Sequence, residues 1–245
     1  MSTAIWHDVE CGAYAADLGL WDELVAVRGS RTLELGCGTG RVSLHLARRG
    51  HDVCGLDIDP ALVAVFNQRA GDLPAQAVVA NATDFDLDQT FGLVLAPMQF
   101  LQLLASPQAR IRCLSRAAEH LEPGGKVAVA IADAVLAGVN PQAEDSGFGT
   151  QMTPDAHEID SWIYSSLPLE TVVGDEEIVV RRLRQTVSPA GDLAEHLDEV
   201  RLSVLDPRIV ESEAKSAGLR PAGRRVIPAT EMHVGSTAVL LERDE

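Results

Sequence analysis

Cysteine is scarce and unpaired. The chain has four in 245 residues, and Cys11, Cys37, Cys54 and Cys113 stand far apart with no CxxC pair. That spacing argues against a zinc cluster and against a disulfide framework, so the thiols are expected to stay reduced and no metal site is expected. No run approaches the ~20 consecutive apolar residues of a membrane-spanning helix. The start, MSTAIWHDVE, also lacks the basic-then-apolar layout of a signal peptide. No membrane partner is expected, and the default location is cytoplasmic. Basic charge is short too: 20 Lys and Arg against 36 Asp and Glu leave a formal net charge of -16. Such a surface repels a polyphosphate, so nucleic acid is not an expected partner, and Arg181, Arg182, Arg184, Arg224 and Arg225 read as solvated side chains. Internal repeats and low-complexity tracts are missing as well.

What is there suits one α/β domain of ordinary size, with 46% hydrophobic residues available for a core. From residue 31, short runs rich in Val, Leu and Ile alternate with segments of helical period, the pattern of stacked βα units. The runs are RTLELG (31–36), HDVCGLD (51–57), AQAVVA (75–80), FGLVLA (91–96) and GKVAVAIA (125–132). Asp59-Pro60 and Ser106-Pro107 read as a helix cap followed by an N1 proline, and Gly50, Gly71 and Gly124 as helix stops. Before residue 30, CGAYAADLGLWDELVAV sets Leu18, Trp21, Leu24 and Val25 at helical spacing, which predicts an amphipathic helix over the sheet.

After residue 133 the character changes. A turn-rich acidic stretch to residue 160 reads as loop. Three strand-like runs follow, SWIYSSLPLETVV, EEIVVRRLRQTVS and EHLDEVRLSVLD, separated by hairpin signals at 174–175 and 189–192. The chain closes with a helix, PRIVESEAKSAG (207–218), and two further strands, RRVIPA and STAVLLER. The expected organisation is therefore an N-terminal lid helix (1–29), a core (30–135 and 207–245) and an antiparallel insertion (136–206).

The stretch LELGCGTGRVSLHL, residues 33–46, carries three glycines, Gly36, Gly38 and Gly40, between a strand and a helix. Such a turn lets backbone N–H groups approach a ligand that a Cβ would fend off, and it presents a helix N-terminus. A P-loop needs Lys followed by Ser or Thr after the last glycine, and Arg41-Val42 stands there instead. A dinucleotide fingerprint needs glycine or alanine at position 41, so Arg41 disfavours that too.

The remaining pattern, Glu34-x-Gly36-x-Gly38-x-Gly40, resembles the first motif of class I S-adenosylmethionine-dependent methyltransferases, and the resemblance runs on through residues 30–135. Asp57 ends the second strand in GLDIDP, ANATDFDL follows the third, FGLVLAPMQFLQLL covers the fourth strand and its loop, and LEPGGKVAVAI resembles the next turn and strand. The resemblance implies a Rossmann-like, doubly wound sheet of seven mostly parallel strands whose last strand is antiparallel. A small antiparallel β insertion would accompany it, with S-adenosyl-L-methionine as cofactor. By the same resemblance, Glu34 and the Gly36 backbone hold the methionine ammonium, and Gly38 and Gly40 admit the cofactor's length. Asp57 takes the ribose hydroxyls, Ile58 packs on the adenine, and Asn81 with Ala82 reads the adenine edge. Asn81 departs from the family's usual Asp. Ala96 offers a carbonyl to the ammonium, Met98 lies near the other adenine face, and Tyr14 resembles a lid tyrosine close to the sulfonium.

Methyl transfer from a sulfonium is an in-line displacement, so aiming the nucleophile matters most and a base is needed only where a proton must leave. Candidate catalytic residues are Gln99, after the fourth strand, and His157 and His233, with Glu158 and Asp133 beside them. APMQF stands where amine-directed nucleic-acid methyltransferases carry Asn-Pro-Pro-aromatic. The expected acceptor is a small molecule attacked through O, N or C, and a homodimer is compatible with the sequence. Two rivals remain open: non-methyl chemistry such as aminopropyl transfer or rearrangement in the same pocket, and a non-catalytic binding protein.

Overall fold

The computed structural model describes residues 3–28, 31–132, 154–230 and 233–243. Two sheets organise them. The larger has seven strands in the order β10-β11-β5-β4-β1-β2-β3, where β1 is Thr32–Leu35, β2 Val53–Asp57, β3 Ala75–Val79, β4 Phe91–Ala96, β5 Leu121–Ala132, β10 Leu219–Ile227 and β11 Ser236–Arg243. β1 pairs in parallel with β2 and β4, β2 with β3, and β4 with β5. β11 runs antiparallel to both β5 and β10. The expected seven-stranded, mostly parallel sheet with an antiparallel last strand is thus borne out. Continuous apolar runs are what a strand covered on both faces requires, and β1 and β4 are buried at every position.

Helices α3 (Arg41–Ala47), α4 (Pro60–Ala70), α5 (Pro107–Glu119) and α6 (Pro207–Ser216) make the crossovers. Three of them start as the sequence indicates, with proline at N1 after a side-chain cap. The caps are Asp59 on the Ala61 N–H (2.7 Å), Ser106 on Ala109 (3.2 Å), and Asp206 on Arg208 and Ile209 (2.7 and 2.9 Å). Gly124 is a correction. It does not stop α5, which ends at Glu119 with His120 as its cap; it lies inside β5 at φ 73°, where the register against β4 slips. A glycine at positive φ in a strand makes a bulge as readily as it ends a helix.

The smaller sheet is antiparallel, β6-β7-β8-β9, formed by Asp155–Ile159, Trp162–Val173, Glu177–Val187 and Leu193–Ser203. Three of these match the expected runs; β6 is an addition at the end of the stretch read as loop. Its hairpin with β7 turns on Asp160 and Ser161, both at positive φ (51° and 65°), a primed-turn geometry without the Asn-Gly or Asp-Gly that announces it. The N-terminal segment also differs, with two helices, α1 (Thr3–Cys11) and α2 (Leu18–Arg28), in place of one. Trp21 and Val25 of α2 sit 0% and 1% exposed against Leu46, Leu93 and Leu95. Helix α1 packs Trp6 and Val9 on Tyr164 of β7, and so bridges the two sheets.

Candidate active site

The strand ends of β1, β2 and β4 converge on the loop 36–40, at the carboxyl edge where an open α/β sheet binds ligands. Gly36, Gly38 and Gly40 all hold positive φ (66°, 53° and 95°), a conformation that costs glycine nothing. The space a Cβ would fill is taken by this chain's own rings: Phe100 over Gly36, the His7 imidazole over Gly38, and Leu44 with Phe66 at Gly40. The bareness first admits Phe100 and His7, whose rings wall the loop.

Asp57 binds the loop to the next strand. One carboxylate oxygen accepts from the Gly38 N–H (2.9 Å) and the other from the Asp59 N–H (3.0 Å). Each oxygen keeps a lone pair for a ligand. Beside it, Ile58 stands 68% exposed, a largely uncovered apolar side chain at the site's lip. Ala82 is buried, and Asn81 is exposed with its side-chain oxygen accepting from the Thr83 N–H (2.9 Å) and hydroxyl (3.0 Å). Ala96 ends β4 fully buried; Met98 follows at φ 54°, a strained conformation for a side chain of that size. Gln99, half-buried, caps the 3-10 turn Phe100–Leu103.

Glu34 lies beneath the loop rather than in it. It is 3% exposed and accepts from the Ser43 N–H (2.8 Å) and hydroxyl at the start of α3. Burial pushes its carboxyl up to about 7, against the pull of Ser43 and Arg41. Ammonium contact was the expected task; tying the first turn of α3 to β1 is what its geometry serves.

Arg41 acquires a role that sequence reading missed. Its guanidinium makes a bidentate pair with Asp17 (2.7 Å to each oxygen) and donates to the Tyr14 carbonyl (2.8 Å). Asp17, 0% exposed, also accepts from the Trp21 indole (2.8 Å). The residue that excludes a dinucleotide loop therefore moors the N-terminal segment to α3. Tyr14 lies under this clamp with Arg41 at 5.1 Å over its ring and His233 at 4.7 Å on it, its hydroxyl hydrogen-bonded to Ser236. The cation on its face is Arg41. His233, held below the usual imidazole range by burial, is brought to the site's edge through Tyr14.

His157 is not in a loop. It is exposed on β6 across from Tyr164, with Glu158 exposed beside it, and neither lines the cavity between α1 and the small sheet. Asp133 falls outside the described residues. That cavity, about 520 Å³, is walled by Thr3, Trp6, His7, Glu10 and Cys11 of α1, by Arg184, Thr186, Ala194, Glu195 and His196 of β8 and β9, and by Leu62 of α4. Gln102 is a further missed residue: 1% exposed, it donates to the Ser203 carbonyl (3.1 Å) and accepts from the Ala132 N–H (2.8 Å), holding β5 and β9 to the 3-10 turn.

Comparison with known proteins agrees with this geometry. The family described as Methyltransferase domain matches residues 32–125. The cypemycin N-terminal methyltransferase of Streptomyces sp is 32% identical over 97 residues, 40% of each chain. The ubiquinone biosynthesis O-methyltransferase of Pseudomonas entomophila is 30% identical over 110 residues, 43% of this chain and 46% of that one. The chain thus spans less than half the length of these curated relatives. The SAM-bound structure of CalS10, an amino pentose methyltransferase from Micromonospora echinaspora, superposes with a TM-score of 0.73 at 18% identity, covering 98% of this chain and 97% of that one. The fold is Rossmann-like, of the kind that this S-adenosylmethionine-bound methyltransferase also has, and residues 32–125 are similar to the methyltransferase domain family.

Proposed function

We propose that this protein transfers the methyl group of S-adenosylmethionine to an O, N or C atom of a small molecule by in-line displacement. One observation carries the reading. A glycine loop at positive φ closes the carboxyl end of β1, and the Asp57 carboxylate and the exposed Ile58 stand at its rim. That is the shape and chemistry a ribose and an adenine need: an anionic bidentate acceptor beside an uncovered apolar face. Gly36 and the Ala96 carbonyl would take the ammonium, with Glu34 fixing the loop from below, and Ala82 and Met98 would border the base. Asn81 would meet the adenine edge once its oxygen is shared with Thr83. The cofactor, when bound, supplies an electrophilic methyl on a positive sulfur. The chain's own task is to seat the acceptor opposite that methyl and to keep water out, for which α1 stands against the loop and the small sheet packs on α1.

Relatives named for an N-terminal amine, an amino pentose and ubiquinone support a small acceptor over nucleic acid. The arginines in question support it too, since Arg181, Arg182 and Arg184 are each paired with carboxylates. Buried free thiols at Cys37, Cys54 and Cys113 suit a cytoplasmic setting. A homodimer belongs to the same reading, with Ile163, Leu193 and Leu197 exposed on the outer face of the small sheet; light scattering tests it. Calorimetry with S-adenosylhomocysteine tests the cofactor: binding heat at tens of micromolar is expected, and its absence overturns the proposal.

A further inference from the structure

His7 is the residue that belongs both to the cavity and to the glycine loop. Its ring lies against Gly38 with Nε2 facing that glycine, and it also lines the 520 Å³ space between α1 and the small sheet. Its Nδ1 is 3.2 Å from the Thr39 hydroxyl. That hydroxyl donates to Asp8 (2.6 Å), whose two oxygens also hold Arg69 (3.0 and 2.5 Å). A hydroxyl has one proton, so Thr39, having given it to Asp8, must accept from His7 Nδ1–H. In the neutral ring the proton then sits on Nδ1, and Nε2 presents a bare lone pair toward the loop. The chain Asp8, Thr39, His7 thus fixes a tautomer, as the carboxylate behind a catalytic imidazole does.

We propose that His7 is the proton acceptor of the reaction and that the cavity it lines seats an amine-bearing small molecule. This rests on the methyl-transfer reading above and deepens it. The charge of the walls favours a cation. Of the carboxylates and guanidinium that line it, Glu10 and Glu195 outnumber Arg184, which is already paired with Glu10 and Asp198, and Glu10 is held anionic against burial by its bonds to Arg184 and Ser166. An amine arrives mostly as ammonium, whose nitrogen has no lone pair until a proton leaves. Nε2 takes that proton, the freed nitrogen pair forms the N–C bond to the methyl, and the C–S bond breaks with its electrons returning to sulfur. The products are a methylated ammonium, a neutral thioether and a protonated His7, which then discharges to solvent. An aliphatic hydroxyl holds its proton far more tightly than an ammonium, whose pKa is about 10, and an imidazole is a poor match for it. The charged groups facing His7 are Asp8 and Glu10 on α1, Asp57 at the end of β2 and Arg41 on α3; burial outweighs them and keeps the ring below the usual imidazole range, a base at neutral pH.

Two measurements decide it. Nitrogen-15 NMR of histidine-labelled protein is expected to give His7 as the Nδ1–H tautomer, neutral at pH 7, with its signals shifted by S-adenosylhomocysteine. An Nε2–H tautomer, or signals unmoved while calorimetry registers that ligand's binding, overturns the assignment of His7 and leaves the cofactor site standing. No binding heat removes the cofactor reading itself. In the second, transfer of a tritiated methyl group is followed onto matched pairs, glucosamine with glucose and phenethylamine with phenethyl alcohol. Label is expected on amines. His7→Asn should lower kcat/KM at pH 7 by ~10²-fold and recover about tenfold per pH unit toward the amine's own pKa, where free amine needs no base. A variant profile parallel to the wild type's, or label confined to the alcohols, overturns the proposal.

Discussion

Asp57 does two things at once, and its substitution separates them. The carboxylate accepts from the Gly38 and Asp59 N–H groups and, in the function proposed, takes the ribose with its remaining lone pairs. Asp57→Ala is expected to weaken S-adenosylhomocysteine binding by ~1.5–3 kcal/mol, the cost of losing charge-assisted hydrogen bonds. Calorimetry of the variant, with its melting temperature recorded alongside, checks this; unchanged affinity would mean the ribose lies elsewhere. Glu34 makes the complementary case of a residue whose chemistry is internal. Its carboxyl is pushed up to about 7 by burial, so folding takes up a proton between the unfolded value near 4.5 and that pH. Its contribution is complete below about 4.5 and is lost as pH rises through 7, for a total on the order of 3 kcal/mol. Glu34→Gln removes the slope. Thermal melts of the two proteins should therefore diverge from pH 4.5 to 7 in the variant's favour and run parallel above.

At the scale of elements, the helices with their own caps were legible and the long-range clamps were not. Asp59-Pro60 and Ser106-Pro107 are local devices, complete within four residues, and each appears as read; Asp206 adds the same kind of cap before α6. Arg41 could be read only for what it excluded, because its partner Asp17 lies 24 residues away on another element. Gln102 was silent for the same reason, its partners being at the ends of β5 and β9. Strand β6 was missed because Asp160-Ser161 carries no glycine to signal its turn. The Arg41 clamp has a measurable consequence. Both side chains are buried, 9% and 1% exposed, so Asp17→Ala strands a guanidinium in the interior and should cost about 3–5 kcal/mol. Urea unfolding measures the loss. Replacing both partners with apolar residues of similar volume, Asp17→Leu with Arg41→Met, should cost much less, and an equal loss would show that the pair's mutual contact is not what stabilises the segment.

At the scale of the molecule, α1 is the piece that makes two sheets into one site. The seven-stranded sheet and its glycine loop were legible because continuous apolar runs and a strand–glycine–helix turn are local patterns. The covering of that loop was not, since it depends on where Glu10 and Trp6 meet residues more than a hundred positions away and on where His7 meets Gly38 and Thr39. Glu10 accepts from Arg184 through both oxygens (2.8 Å each) and from the Ser166 hydroxyl (2.7 Å), while Trp6 meets the Tyr164 ring edge-on at 5.7 Å and lies under the Arg184 guanidinium at 5.3 Å. Nothing in this latch touches the core of the large sheet. Glu10→Ala should therefore open α1 locally without unfolding the rest: its amides should exchange with deuterium ~10- to 100-fold faster, corresponding to about 1.4–3 kcal/mol of local stability, while β1, β4 and β5 keep their protection. The same variant separates the two halves of the functional reading. The proposed ribose and adenine contacts lie at the ends of β2 and β3, so S-adenosylhomocysteine should still bind, whereas the cavity loses the helix that forms its wall and methyl transfer should fall. If transfer survives with α1 exchanging freely, the acceptor is seated somewhere other than between α1 and the small sheet.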